Sequence, residues 1–344
     1  MRSGSLARLL LAFAIVAMTL AVAQSPVTAR GATTRDAPIA PGESGQIGDY
    51  VISVVDVFPD ATDEVMQASD QNALPADGNQ FFMVRVSVLY EGSIEADPGF
   101  DLSFNAVGAS NVGYNSLYAL CGIIPDGVPD DAEGFADGEV EFNVCWLIPA
   151  SDAETLMMYI ENHFDMSDEL LYFSLGLGAA AGMGTPVPAL RDVEVVDGHD
   201  RNAPVPAGET GRLGDFHLQV SDVLPQADAY LEGNGIFGFV PPTAGNQYVM
   251  VVVTITNAGS EPVVPWSTIR FLGIGETEYT EAENSCGVVP DSVYEIPHLF
   301  PGGTVTFNVC WQVASDDVDA LAMAVEPWVS DDPEGARVWF ALTD

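Results

Sequence analysis

The residues best equipped for covalent or metal chemistry in this 344-residue chain are four cysteines, Cys121, Cys145, Cys286 and Cys310. They fall into two pairs of equal spacing, 145 − 121 = 24 and 310 − 286 = 24. A zinc or dithiol redox site would want Cys-x-x-Cys spacing or a neighbouring His, and neither is present. Two disulfides, each closing a loop of about 25 residues, are the reading that the spacing favours. The only histidines are His163, His199, His217 and His298, and none is spaced as a metal-ligand pair. They read as incidental surface or packed residues. The absence of Lys removes a phosphate-binding loop of the Gly-Lys-Ser/Thr type. The segment "GASNVG" (108–113) has the wrong spacing for a nucleophile elbow. No catalytic residue is assigned, and a non-enzymatic protein is expected, with a hydrolase as the third-ranked alternative.

Two further segments carry site chemistry. Between the first two cysteines lie Asp126, Asp130, Asp131, Glu133, Asp137 and Glu139, a set of hard oxygen donors that suits Ca²⁺ without matching an EF-hand. A solvated acidic loop is the competing reading, so no cofactor beyond this Ca²⁺ candidate is expected. The connection "AYLEGNGIFGFVPPTAG" (229–245) is apolar and glycine-spaced where its counterpart "DEVMQASDQNALPADG" (63–78) is polar. Tyr230, Leu231, Ile236, Phe237 and Phe239 are therefore expected either to form an exposed partner-binding patch or to fold back over their own domain.

These residues sit on a duplicated frame. "APIAPGESGQIGDY" (37–50) returns as "APVPAGETGRLGDF" (203–216), "GNQFFMVRVSV" (78–88) as "GNQYVMVVVTI" (245–255), and "FNVCW" (142–146) as "FNVCW" (307–311). Period-two alternation of Phe82, Val84, Val86 and Val88, and of Val249, Val251, Val253 and Ile255, predicts half-buried strands. Leu156, Met158 and Ile160 alternate like Leu321, Met323 and Val325, which predicts a strand there despite a capping-box pattern at Ser151 and Glu154. The alternation puts Cys145 and Cys310 on the strand face opposite the Phe and Trp residues, hence outside the main core. The fold class expected is all-β: two tandem immunoglobulin-like antiparallel β-sandwiches, each with one intradomain disulfide. The boundaries are 1–23 signal peptide, 24–36 flexible tail, 37–175 first sandwich, 176–202 linker rich in Gly, Ala and Pro, and 203–344 second sandwich. Few contacts are expected across that linker.

Arg2 and Arg8 precede an apolar run from Leu9 to Ala23 that ends Ala-Val-Ala, the pattern of a cleaved secretory signal; retention as an N-terminal membrane anchor is the alternative. Formal net charge is −40 from 10 basic and 50 acidic residues, and −42 (8 − 50) without Arg2 and Arg8. Such a surface repels nucleic acid and anionic membranes and attracts cations.

The Gly-Asn-Gln strand, the Asn in "TITNAGSEPV" (254–263), the Pro301-Gly302-Gly303 turn and the Asn-Val-Cys strand resemble a family of secreted bacterial domains of unknown function. That family has a telokin-like, immunoglobulin-type β-sandwich and is related to mycobacterial immunoprotective extracellular antigens. The resemblance covers residues 37–175 and 203–342 and implies a fold and an extracellular location, with no catalytic residues. In copy one Ala136-Asp137-Gly138 replaces the Pro-Gly-Gly turn and Tyr90-Glu91-Gly92 replaces the turn at Asn257. A secreted binding module for an extracellular protein or small molecule is the leading functional expectation, and a Ca²⁺-assisted envelope or adhesion component the alternative.

Overall fold

A computed structural model describes residues 28–30, 33–93, 97–116, 121–128, 138–163, 169–177, 193–234, 239–330, 332 and 334–342. The proposed signal lies outside the described residues. Among them no helix is long and apolar enough to cross a membrane.

Each copy is a sandwich of two sheets, four-stranded apart from one sheet of copy one, where the short strand Thr28–Arg30 adds a fifth at the edge. In copy one Ser44–Ile47, Tyr50–Phe58, Asn79–Tyr90 and Gly138–Pro149 pair antiparallel in that order, opposite a sheet ordered Gly113–Asn115, Leu102–Val107, Met157–Asn162 and Leu171–Ser174. Copy two repeats this with Thr210–Leu213, Phe216–Leu224, Asn246–Asn257 and Thr304–Ala314 opposite Glu278–Thr280, Ile269–Ile274, Ala322–Pro327 and Val338–Ala341. Even the bulges recur, between Val54 and Asp56 and between Val220 and Asp222. Strands that are apolar on one phase need a partner layer, and the inner faces supply it: Phe82, Phe142 and Trp146 fill the first core, Val249, Phe307 and Trp311 the second.

Both predicted disulfides are present, Cys121–Cys145 and Cys286–Cys310. Each lies on the outer face of its sheet, in a small cluster under a short helix (Thr62–Ala68 or Asp228–Asn234), with Val65, Phe81 and Met83 in one copy and Leu231, Tyr248 and Met250 in the other.

Three boundary expectations need correction. The 24–36 tail is not wholly free: Thr28–Arg30 pairs parallel with Ser44–Ile47, and Thr33 exchanges hydrogen bonds with Tyr172. The described end of the 176–202 segment belongs to copy two, since Val196 N–H donates to Thr210 O at 2.8 Å and Trp339 N–H to Gly198 O at 2.7 Å. Unpaired backbone groups at a sheet edge recruit such segments.

The third correction concerns contacts between the copies. The Pro-Gly-Gly turn of copy two seats on the 108–113 turn of copy one: Phe300 N–H donates to Asn111 O at 2.9 Å, Gly113 N–H to His298 O at 2.8 Å, and Asn111 Nδ2 to Pro301 O at 3.2 Å. Phe300 is buried with Val107, Met157, Tyr159 and Tyr172 of copy one, and its ring meets that of Tyr159 edge-on at 5.6 Å. His298, expected to be incidental, packs on the Tyr159 ring at 5.5 Å with Nδ1 3.4 Å from Glu161 Oε1. Arg35 of the tail bonds Asn111 Oδ1 and Gly108 O while its guanidinium covers the Phe300 ring at 5.4 Å. The approach demands glycine on both sides, because a Cβ at Gly303 would stand 2.3 Å from Asn111 O and one at Gly113 2.8 Å from His298 O.

Two outcomes follow from this architecture. Replacing Cys286 and Cys310 by Ser should cost about 3.5 kcal/mol by loop entropy, read as a lower urea midpoint for copy two. Phe300→Ala should cost about 3–5 kcal/mol at the junction and resolve a single calorimetric melt into two transitions; an unchanged melt would show that the copies are energetically uncoupled.

Candidate functional site

A cavity of about 240 Å³ lies in copy two, with Trp266, Arg270, Glu281, Glu283, Tyr294 and Trp328 among its walls. Local structure fixes each wall. Pro265 starts a one-turn helix, Pro265–Thr268, that lifts Trp266 outward, and Trp328 N–H donates to Thr268 O at 2.9 Å, holding Trp328 beside that turn. Tyr294 rides a 3-10 turn capped by Ser292 and anchored by buried Val293. The 280–284 turn is closed by Asn284 N–H to Thr280 O at 2.8 Å and Glu283 N–H to Thr280 Oγ1 at 3.2 Å, which sets Glu281 in the wall.

The rim is unusual for a soluble surface. Trp266, Tyr294 and Trp328 are 43%, 47% and 56% exposed, with Trp266 and Tyr294 rings 6.2 Å apart and inclined at 41°. Exposed aromatic groups that share one concavity mark recognition surfaces more often than scattered apolar residues do. Arg270 is committed to Glu326, a fully buried carboxylate that also takes Arg337, which in turn reaches Glu278 at 3.3 Å. Burial pushes the Glu281 carboxyl up to about 7, although it accepts hydrogen bonds from Cys310 N–H and the Tyr294 hydroxyl.

At the matching sequence positions copy one carries other residues. The one-turn helix Pro98–Asp101 matches Pro265–Thr268 and puts Gly99 where Trp266 stands. Counting from the cysteines, Tyr294 (286 + 8) answers to Pro129 (121 + 8), Trp328 (310 + 18) to His163 (145 + 18) and Glu281 (286 − 5) to Ser116 (121 − 5).

The residues singled out from sequence are placed differently. Among the Ca²⁺ candidates, Asp126 is described and the stretch 129–137, with Asp130, Asp131, Glu133 and Asp137, lies outside the described residues. Asp126 has φ +46°, its carbonyl accepts from Asn143 N–H at 2.7 Å, and its carboxylate faces Arg85 at 3.4 Å. Asp291 occupies the same left-handed position in copy two, with φ +50° and Asn308 N–H on its carbonyl at 2.9 Å. The recurring aspartate is thus a turn residue in both copies. Among the described residues no group of three or more His, Cys, Asp or Glu is gathered for a metal.

The partner-binding patch is corrected on its described part: Leu231 is 2% exposed, packed with Tyr248 and the Cys286–Cys310 bridge, and Tyr230 and Phe239 are half-buried against the same cluster. Helix Asp228–Asn234 sets Leu231 onto the sheet, so the helix folds over its own domain. Ile236 and Phe237 lie outside the described residues. His199 Nδ1 sits 2.8 Å from Arg337 O, and burial pulls the imidazole of His217 down.

No family model and no curated protein matches the chain. Among solved structures it is similar to ycdA of Bacillus subtilis (14% identity, 38% of this chain and 37% of that one, TM-score 0.24). It is also similar to a conserved hypothetical protein of Bacillus anthracis (13%, 40% and 95%, TM-score 0.26) and an uncharacterized β-sandwich protein of Clostridium difficile 630 (6%, 44% and 95%, TM-score 0.23). The chain spans 37% of the Bacillus subtilis protein's length. Overlaps at these TM-scores carry no argument about function, and the fold assignment rests on strand order and register.

Glu281 yields a pH prediction. Because the folded-state value, about 7, lies above the ordinary 4.5, the folded chain holds this proton where the unfolded chain releases it; stability falls as pH rises from 4.5 to about 7. Glu281→Gln keeps an acceptor for Cys310 N–H and should raise the melting temperature at pH 8 by ~2–4 °C, about 1 kcal/mol after solvent screening, with no gain at pH 4. An equal gain at both pH values would mean that burial does not hold the proton on.

Proposed function

We propose that the chain is a non-enzymatic extracellular binding module in which copy two carries the ligand pocket and copy one braces it. The carrying observation is the divergence between copies that otherwise share strands, bulges and disulfide: the three half-exposed rings gathered at one cavity of copy two are replaced in copy one by Gly99, Pro129 and His163. A rim kept for folding alone would be expected in both. Two disulfides support an oxidising compartment, and the secretory signal and the telokin-like resemblance belong to the same proposal. Against catalysis, the pocket offers one raised carboxyl, Glu281, with no nucleophile–base pair among the described walls.

The test is a thermal-shift panel on the full chain with neutral sugars, amino acids, carboxylic acids and organic amines. A ligand at about 100 times its dissociation constant stabilises by ~2.7 kcal/mol, well within detection. At least one class should raise the melting temperature of the native chain and leave Trp328→Ala unmoved. A panel without any shift, or a shift that survives Trp328→Ala, refutes the pocket as the binding site.

A further inference from the structure

The pocket in copy two is specific enough to name a ligand class, an inference that rests on the reading of that pocket as the binding site. We propose that it takes a quaternary ammonium group, held between the aromatic faces of Trp266, Tyr294 and Trp328 beside the carboxylate of Glu281.

Three features point the same way. The first is ring geometry: Trp266 and Tyr294 are inclined at 41° with centroids 6.2 Å apart, and Trp328 lines the same cavity, so a compact ligand meets aromatic surface from more than one direction. Aromatic faces attract cations, and several faces around a single cation form the usual recognition device for methylated ammonium groups.

The second is charge. Arg270 and Arg337 are balanced by Glu326 and Glu278, two cations against two anions, which leaves Glu281 and Glu283 as the surplus at the cavity. A chain with net charge −40 adds a long-range field that concentrates cations at such a site.

The third is size and hydrogen bonding. A cavity of about 240 Å³ is smaller than the ~300–1,000 Å³ of drug-sized sites, so the ligand is a small molecule or a headgroup. Part of the acceptor capacity of Glu281 is already used by Cys310 N–H and the Tyr294 hydroxyl. A trimethylammonium group has no N–H to satisfy and asks for charge and apolar surface alone, whereas a sugar or primary amine would need free acceptors. The charged and titratable groups that share the cavity with Glu281 are Arg270 on Ile269–Ile274, Glu283 on its own turn and Tyr294 on the 3-10 turn, and of these Tyr294 bonds it; a bound cation adjoining Glu281 favours its ionised form and expels its proton.

The experiment titrates the full chain with choline and with its neutral carbon isostere 3,3-dimethyl-1-butanol, at fixed ionic strength in NaCl, following tryptophan emission and heat. Choline should bind at least ~10-fold more tightly than the isostere, a difference of about 1.4 kcal/mol. Trp328→Ala and Trp266→Gly, both at half-exposed positions, should weaken choline by ~10-fold with unchanged melting temperatures. Affinity should rise by up to ~10-fold from pH 6 to pH 8, with proton release visible as a buffer-dependent heat at pH 7, and Glu281→Gln should abolish both. Co-sedimentation with phosphatidylcholine vesicles separates the two sources of the group: retention assigns a lipid headgroup, and binding of free choline alone assigns a soluble cation. Equal affinity for choline and the isostere, or binding of N-acetylglucosamine in place of choline, overturns the cation inference while leaving the pocket as a binding site. No response to any probe, together with an empty thermal-shift panel, removes both.

Discussion

The strand Thr304–Ala314 ends its sheet, and half of its backbone N–H groups face away from the ladder. An edge of that kind must be covered or paired, and here it is covered by one segment of chain. Asn308 N–H is taken by Asp291 O, Cys310 N–H by the Glu281 carboxylate and Gln312 N–H by Asn284 O. The Cys286–Cys310 bridge bolts the same segment to the same strand. This stitching holds part of the cavity wall and the joint between copies. It fixes Glu281 and Tyr294 as cavity walls, and it delivers the chain at Leu299 to a second pairing, with Val263 on one side and Val112 of copy one on the other. Two walls of the cavity, Glu281 and Tyr294, and the joint between copies are therefore carried by one continuous stretch of chain, 281–303, which the Cys286–Cys310 bridge ties down.

Duplication explains what is shared, and the departures show how each copy was specialised. Asn143 and Asn308, the Asn of "FNVCW", each send Nδ2 to a proline carbonyl of the loop, Pro125 and Pro290, at 2.7 and 2.8 Å. Asp152 and Asp317 each accept from a tyrosine hydroxyl, Tyr114 and Tyr279, both at 2.8 Å. For Asp317, burial opposes ionisation, and donation from Glu276 N–H, the Tyr279 hydroxyl and Thr277 N–H outweighs it and holds the carboxyl below its ordinary value. These contacts recur in both copies. Elsewhere the copies diverge at matched places. Glu326 of copy two is buried with Arg270 and Arg337, while Glu161 of copy one takes Asn105 Nδ2 and faces His298. Buried Asn257 donates to Leu299 O and Glu261 O and so shapes the turn that docks on copy one; at the matching turn copy one carries Tyr90, whose ring packs on Tyr50. Copy one presents a surface to be covered, and copy two supplies the cover.

Much of this was legible in the sequence because it depends on short-range pattern. Alternation gave the strands and the outward phase of Cys145 and Cys310, and equal cysteine spacing gave the bridges. What was hidden depends on approaches between distant residues. Nothing in the composition around His298 distinguishes it from His163, and only the fold brings it to Tyr159, 139 positions away. The segment "GASNVG" looked like a failed catalytic turn; a Cβ at Gly113 would run into the Tyr159 hydroxyl and the His298 backbone, and one at Gly108 into the Asp152 side chain. The pocket was equally invisible, since Trp266, Glu281, Tyr294 and Trp328 are spread over 62 positions (328 − 266) with no periodicity. One signal was available: subtracting one copy from the other isolates Trp266, Tyr294 and Trp328 as aromatic gains. The same subtraction also picked out 229–245, and of the two readings open for it the described helix takes the second, because an apolar gain on a helix beside a sheet is satisfied internally.

That distinction between gains that serve packing and gains that serve recognition is sharpest at Glu281. Capping Cys310 N–H requires an oxygen, and a neutral amide side chain would provide one without the penalty that burial imposes on a carboxylate near neutral pH. Copy one has Ser116 at the corresponding position, so the frame does not demand an acid there. The charge at Glu281 is accordingly a cost carried by copy two alone, placed in a cavity wall, hydrogen-bonded to one of the three aromatic residues of the rim. Folding stability gives no reason to retain it, and a site that gains from negative charge does.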